Sequence, residues 1–349
     1  MRKLEFNYEA MLNEITPPLY DMESMFWIVV APDLYEKYGT TGEIVARTWL
    51  RRHANWRGQQ IRKGNQALGV PINVENLFVY TDNPVNNVFI PMWKKDYSWT
   101  PYNLKLKVSP GECVMFDRMK QHDIGLMGDV FCDELHQSFT TTYHPDAVVS
   151  ICRTMTKGDD HCMFQWVLPG DARVPDEIPP YPGENVAEDW LYDTEYNIVK
   201  GGVKRMMRWY AASIYYLREV LEEFLPDVAE KEYIRLIHAY EDARAECIME
   251  RNSDIIGGQS ARTALDYFDM PYILTWGMEI KEIQGGIELD VSYCPLEETW
   301  NWLGDKKKMS VYCDSCYQRM YSKFNSKLKA EVCACKTKGD DKCVIRIHE

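Results

Sequence analysis

Two sets of residues in this sequence have the types and spacing that chemistry requires. The first is Cys113, Cys132, Cys152 and Cys162 together with His122, His136, His144 and His161, so four of the seven histidines fall in one stretch. A cysteine becomes a nucleophile when a neighbouring base or positive charge lets its thiol ionise near neutrality. Cys162 beside His136 or His161, with Asp133 or Asp160 orienting the imidazole, would meet that need, and Cys132 would share the site. The same residues would alternatively hold a catalytic zinc with one open position and activate water on it. The second set is Cys313, Cys316, Cys335 and Cys343. A C-x-x-C pair and two further cysteines offer four thiolates to a tetrahedral Zn²⁺, with Cys333 or Glu331 as substitutes. For both sets the plain alternative is packing, because cysteine is among the most often buried residues.

The two sets belong to one repeated phrase. Residues 152–162 and 333–343 agree at seven positions, namely both outer cysteines, a threonine, a lysine, the glycine and two aspartates. The offset of 181 residues also takes Cys113 to Cys294 and Cys132 to Cys313. Such a register predicts a tandem duplication. The histidines are not repeated: Leu303, Tyr317, Asn325 and Lys342 stand in their places. Divided labour follows, with proton chemistry expected in the first copy, where the catalytic residues would be Cys132, Asp133, His136 and Cys162. Metal would sit in the second, on Cys313, Cys316, Cys335 and Cys343.

The elements that must position these residues are legible from their patterns. Before each Lys-Gly-Asp-Asp lies an alternating run, and another follows it, so each phrase predicts a β-hairpin. Cys152 would then face Cys162, Cys333 would face Cys343, and Cys335 would share a face with Cys333. The paired aspartates at the turn are expected to cap their own backbone. Asn103–Val108 and Gly286–Tyr293 read as strands, and short helices are expected between the later cysteines.

Upstream, residues 1–20 read as an arm. A helix over 22–38 should break at Pro32, and Thr40 to Glu43 should cap a helix running to about Gly64. Residues 196–224 carry apolar side chains at helical spacing, and a second helix follows through Cys247. The fold class is therefore α+β, each half holding helices followed by a mostly antiparallel sheet that ends in a Cys-bearing hairpin. The halves are expected at 1–170 and 187–349, joined by a proline-rich linker over 171–186.

Composition narrows the function. A net charge of −13 argues against a general nucleic-acid binder, and the basic run from Arg47 to Lys63 reads as a solvated helix face. No apolar run approaches a membrane span, and the N-terminus has no signal-peptide core, so a cytoplasmic protein is expected. Eleven cysteines, an odd number, favour thiols or thiolate ligands over a disulfide framework.

Cys113, Cys132-Asp133-Glu134 and the run from Arg153 to Phe164 resemble the L-2-amino-thiazoline-4-carboxylate hydrolase family. The second copy, through Cys294, Cys313-Asp314 and Lys336 to Cys343, resembles it less, since Ala334-Cys335 replaces Arg-Thr. Cys335 and Cys343 also resemble the last hairpin of the zinc-binding 4-vinyl reductase domain. The resemblance implies a hydrolase opening a C–N bond in a small cyclic amidine or related molecule. Trp93, Trp99 and Trp166 would wall the pocket, with Trp276 and Trp300 as further aromatic candidates. Zinc is the one cofactor implied. The expected partners are a small-molecule substrate or ligand and at most a second copy of the chain in a homodimer. The alternative is a non-catalytic zinc- or small-molecule-binding protein of the sensor type.

Overall fold

A computed structural model describes residues 7–82, 96–169, 187–253, 260–270 and 275–349. The architecture is α+β with two separate four-stranded antiparallel sheets. Packing divides the chain into two compact units. One comprises residues 7–16 and 31–209, the other residues 17–30 and 210–349. Stretches 17–30 and 187–209 thus pack with the sheet from the other side of the proline-rich segment. Residues 171–186 lie outside the described residues.

Helix α1 (Thr16–Tyr38) runs through Pro32 without ending. Leu34, Ala31 and Val30 are fully buried around the proline, and that packing outweighs the lost backbone bond. Pro17 and Pro18 directly follow a π-helical turn over Met11–Ile15, and the stretch expected as an arm is helical from Tyr8 onward. Gly39, at φ 56°, ends α1 by donating to the Tyr35 carbonyl and also opens α2 (Thr40–Ala67). No side chain caps α2, and Glu43 bonds Arg47 at 2.8 Å in place of the expected capping box.

The basic run on α2 is only partly solvated. Arg57 and Arg62 are buried. Arg57 makes a bidentate pair with Asp82 (2.6 and 2.9 Å) and lies 3.4 Å from the Trp209 ring. Arg51 reaches Glu134 on its outer side.

The first sheet has the order β1 (Asp96–Thr100), β2 (Asn103–Val108), β4 (Cys162–Val167), β3 (Val148–Arg153). Strand β4 alternates buried and half-buried residues, which puts Cys162, Phe164 and Trp166 on the inner face. Helices α3 (Val114–Gln121) and α4 (Leu126–Tyr143) separate β2 from β3. Trp166 is fully buried, and its indole N–H donates to Thr140 Oγ1 at 2.9 Å. Thr140→Val should therefore cost about 1–3 kcal/mol by orphaning a buried donor. A denaturation midpoint unchanged from wild type would sink that expectation.

The second sheet repeats the order with β5 (Gly277–Ile283), β6 (Gly286–Tyr293), β8 (Cys343–His348) and β7 (Lys329–Ala334). Its unit also holds α5 (Glu195–Phe224) from Tyr210 onward, α6 (Ala229–Arg251), α7 (Pro295–Trp302) and α8 (Ser310–Phe324). Val108 pairs with Cys162 in the first sheet as Val291 pairs with Cys343 in the second. Both hairpins turn through a 3-10 segment and a glycine of positive φ, Gly158 at 92° and Gly339 at 105°. In each, an aspartate caps the turn as expected: Asp159 accepts the Thr154 N–H at 2.8 Å and Asp340 the Cys335 N–H at 2.7 Å.

One feature of the hairpins differs from a plain alternation. A bulge falls between Ile151 and Arg153, and another between Val332 and Ala334. Alternation already points Cys152 and Cys333 outward, and both are exposed; the extra residue instead turns Thr154 and Cys335 inward, and both are buried. Cys162 is buried too. Cys152 does not face Cys162, because the register sets Ile151 opposite Phe164, and the bulge separates the faces of Cys333 and Cys335. Among the described residues no helix is long and apolar enough to cross a membrane.

Candidate functional site: a thiol cluster at the end of the second sheet

In both units cysteines gather where the hairpin turn meets the neighbouring helices. Cys113 stands at the N-cap of α3 and accepts the Phe116 N–H through sulfur at 3.4 Å. Cys294 holds the same place before α7. Cys132 and Cys313 come from α4 and α8, while Cys162 and Cys343 open the last strands. Cys162 sulfur accepts the Met155 N–H and Cys343 sulfur the Lys336 N–H, both at 3.3 Å. The difference lies at one position: Thr154 in the first unit, Cys335 in the second.

In the first unit the thiols of Cys132 and Cys162 are both pushed up. Burial pushes Cys132 well up, and the thiols of Cys113 and Cys162 add to it. Burial raises Cys162 as well, against a smaller lowering by the Met155 N–H. His136 is turned to other work. Its Nδ1 lies 2.7 Å from the Cys132 carbonyl, which can only accept, so that nitrogen carries the proton. The ring stacks on Phe164 at 4.5 Å. Asp133 faces outward and holds Lys157 with both oxygens at 3.1 Å. His161 pairs with Asp160 at 2.7 Å, and His144 accepts the Asp146 N–H at 3.1 Å. Cys132 and Cys162 are thus brought together, while Asp133 and His136 are engaged elsewhere. Trp166 is a core residue beside His136. Trp93 lies outside the described residues, and Trp99 is placed only as the strand partner of Leu104.

In the second unit Cys335 sits between two other thiols. Hydrogen bonds from the thiols of Cys313 and Cys343 hold Cys335 well below the ordinary thiol range, against the cost of burial. The Thr337 hydroxyl, 2.9 Å from its sulfur, and the Thr337 backbone add to the same effect. Cys313 and Cys343 are raised in turn, first by bonding to Cys335 and then by burial. The central sulfur takes the charge for a geometric reason: ionised there it accepts from both neighbours, whereas either outer sulfur would accept from only one. Lys338, paired with Asp314 at 2.7 Å, brings positive charge from the turn. Cys294 remains a neutral thiol, pushed up to about 12 by burial.

These four sulfurs line a cavity of about 30 Å³ walled by Trp276, Trp300, Tyr312 and Tyr317. That is room for about two water molecules, so a ring-sized ligand must displace wall side chains to enter. Cys316 is not among the lining residues. It is buried, and its electrostatic partners are Glu241, Arg244 and Tyr312. Of the four cysteines expected to bind zinc, three line the cavity; Cys316, one turn on from Cys313 in α8, does not, and its sulfur donates to the Cys313 carbonyl at 3.9 Å. Among the described residues no group of three or more His, Cys, Asp or Glu is placed to hold a metal ion.

Behind the wall lies a polar cluster that the sequence reading missed. Tyr312, whose ring faces the cavity, donates to Glu241 Oε1 at 3.2 Å and lies 3.0 Å from the Tyr210 hydroxyl. Arg244 reaches Glu241 at 3.3 Å and grips Asp269 through two contacts. Glu241 is fully buried, and its carboxyl is raised to about 7 by burial against the attraction of Arg244. The signal was present: Ile237, Tyr240, Glu241, Arg244 and Ile248 share one buried helical stripe. A second signal was an arginine with an aspartate 25 residues on, at Arg57–Asp82 and again at Arg244–Asp269.

Residues 205–347 match the family model of L-2-amino-thiazoline-4-carboxylic acid hydrolase. The match begins within α5 and ends in β8, so it covers the thiol cavity and the cluster behind it. It falls on the second half, the copy in which the motif resemblance is the weaker of the two. No curated protein and no solved structure matches the chain.

Proposed function

We propose that the chain is a hydrolase-type enzyme that opens a C–N bond of a small cyclic amidine or related molecule, and that Cys335 is its nucleophile. The observation that carries this is the convergence of Cys313, Cys335 and Cys343 on one cavity, with the Cys335 thiol held low by its two neighbours. An amidine carbon is electrophilic, a thiolate is the reactive form of cysteine, and the cavity has room for the water that completes hydrolysis. The family match over the same residues supports the reaction class. The first half, on this reading, is a duplicated copy kept for its scaffold. Its support is the common strand order, the matched turns and the 181-residue offset.

The test is direct. Purified, reduced protein is incubated with L-2-amino-thiazoline-4-carboxylate and a panel of cyclic amidines, and products are read by mass spectrometry. Addition of one water to a panel member, lost in a Cys335 variant, is the expected result. No water added to any member would refute the assignment. One tightly held zinc per chain, removed only with loss of Cys335 and Cys343, would replace it with the metal-binding alternative.

A further inference from the structure

We propose that Cys335 and Cys343 form a reversible redox pair, in which a small hydroperoxide oxidises the Cys335 sulfur and Cys343 then closes a disulfide on it. The Cys335 sulfur attacks the terminal peroxide oxygen, and the O–O bond breaks. The other oxygen leaves as water or an alcohol once it has taken a proton from solvent. Cys335 is then a sulfenic acid. The Cys343 sulfur bonds to it, the S–O bond breaks, and the hydroxyl leaves with the Cys343 proton as water. Two electrons have passed from the two sulfurs to the peroxide, and a small dithiol restores both thiols by exchange. No amidine takes part, so the pair stands whether or not the chain is a hydrolase.

The hairpin places both residues for this bond. Beyond the bulge Ala334 pairs with Val344, so the next residue toward the turn is Cys335 on one strand and Cys343 on the other. Residues directly opposite in an antiparallel pair have Cα atoms about 4.5–5.5 Å apart, inside the span of about 4.4–6.8 Å that a disulfide bridges. The two thiols already share a hydrogen bond. The N–H of Lys336, the residue after Cys335, holds the Cys343 sulfur at 3.3 Å. Cys313 reaches the same central sulfur from α8, where no strand pairing sets its backbone opposite Cys335. Its part is to help keep that sulfur in the reactive form.

The cavity selects the oxidant. Its volume of about 30 Å³ takes about two waters, so hydrogen peroxide, with two oxygen atoms, enters without moving a wall. Walls of Trp276 and Trp300 favour a small neutral molecule over an ion. Thr337 also lines the space, and its hydroxyl lies 2.9 Å from the Cys335 sulfur. Cys343 is half-buried, so the cavity is not sealed on its side. The first hairpin carries no such pair: Arg153 pairs with Met163, and the next positions toward the turn hold Thr154 and Cys162. Cys152 and Cys333 are exposed, so they would oxidise first if access alone decided the matter.

The experiment treats the reduced full chain with equimolar hydrogen peroxide at neutral pH, alkylates the remaining thiols, and reads intact mass and linked peptides. Loss of two hydrogens with a Cys335–Cys343 link, both reversed by dithiothreitol, is the expected result. Cys335 should oxidise at least about tenfold faster than Cys152 or Cys333. In Cys343→Ser the sulfenic acid should be trapped by dimedone at Cys335. Cys335→Thr, which copies the first hairpin, should give neither the link nor the trapped acid. The wild-type link is read without any variant, so a variant that fails to fold leaves the comparison intact. Oxidation of Cys152 and Cys333 ahead of Cys335 would overturn the pair. So would a wild-type link from Cys335 to Cys313, or a Cys335–Cys343 link that forms only in denaturant. A reversible Cys335–Cys343 link in a chain that hydrolyses no cyclic amidine would keep the redox pair and remove the hydrolase.

Discussion

Cys335→Ser should lower kcat by about three orders of magnitude or more while leaving the protein folded. A serine hydroxyl at that position remains protonated, so the hydrogen bonds that the Cys313 and Cys343 thiols now give to sulfur create no nucleophile. The fold should tolerate the exchange because Thr154 fills the same position in the first hairpin, which turns with the same geometry. Cys162→Ser is the informative contrast. Its thiol is raised by burial and has no thiolate neighbour, so turnover per folded molecule should change less than about threefold, within the range of an indirect packing effect. Steady-state kinetics and the ultraviolet absorbance of the thiolate check both. A dead Cys162→Ser beside an active Cys335→Ser would return the chemistry to the first half.

That contrast reverses the division of labour that the histidines imply, and the reason is physical. Histidine marks proton chemistry only when its nitrogens face a reacting group. Here His136 spends Nδ1 on the carbonyl one turn back and packs its face on Phe164, which a sequence cannot reveal. The hairpins were legible because β-branched alternation and a Lys-Gly-Asp-Asp turn are local signals. Their bulges were not, and one inserted residue turns Cys335 inward while Cys333 stays on the outer face. Cys313, Cys335 and Cys343, expected as zinc ligands, line one cavity. Which sulfur lies between the other two depends on side-chain placement, which a sequence does not carry. Pro32 and Gly39 make the complementary point about helices. Tertiary packing carries α1 past a proline, and a glycine of positive φ supplies the boundary that a capping box was expected to make.

The largest loss of stability should come from Arg244→Met. Removing one member of a buried ion pair costs about 3–5 kcal/mol, because the partner charge stays desolvated and unpaired. At this site two carboxylates, Asp269 and Glu241, lose their shared cation, and Phe268, 4.8 Å from the guanidinium, loses its stacking partner. The effect should lie at the upper end of that range and fall on residues 210–349, seen as lost hydrogen-exchange protection in α6 and α8. Arg57→Met is the matched control. It breaks one pair and one stacking contact but strands a single carboxylate, Asp82, so its cost should be smaller and confined to residues 31–209. The pair itself is not the source of the stability. Replacing both partners in Arg244→Met/Asp269→Leu should recover part of the loss, since the double variant buries only one acid, and Glu241 already tends to its neutral form. A double variant as unstable as the sum of its singles, or an Arg244→Met within about 1 kcal/mol of wild type, would show that the cluster is solvated and would remove the electrostatic basis for a protonated Glu241.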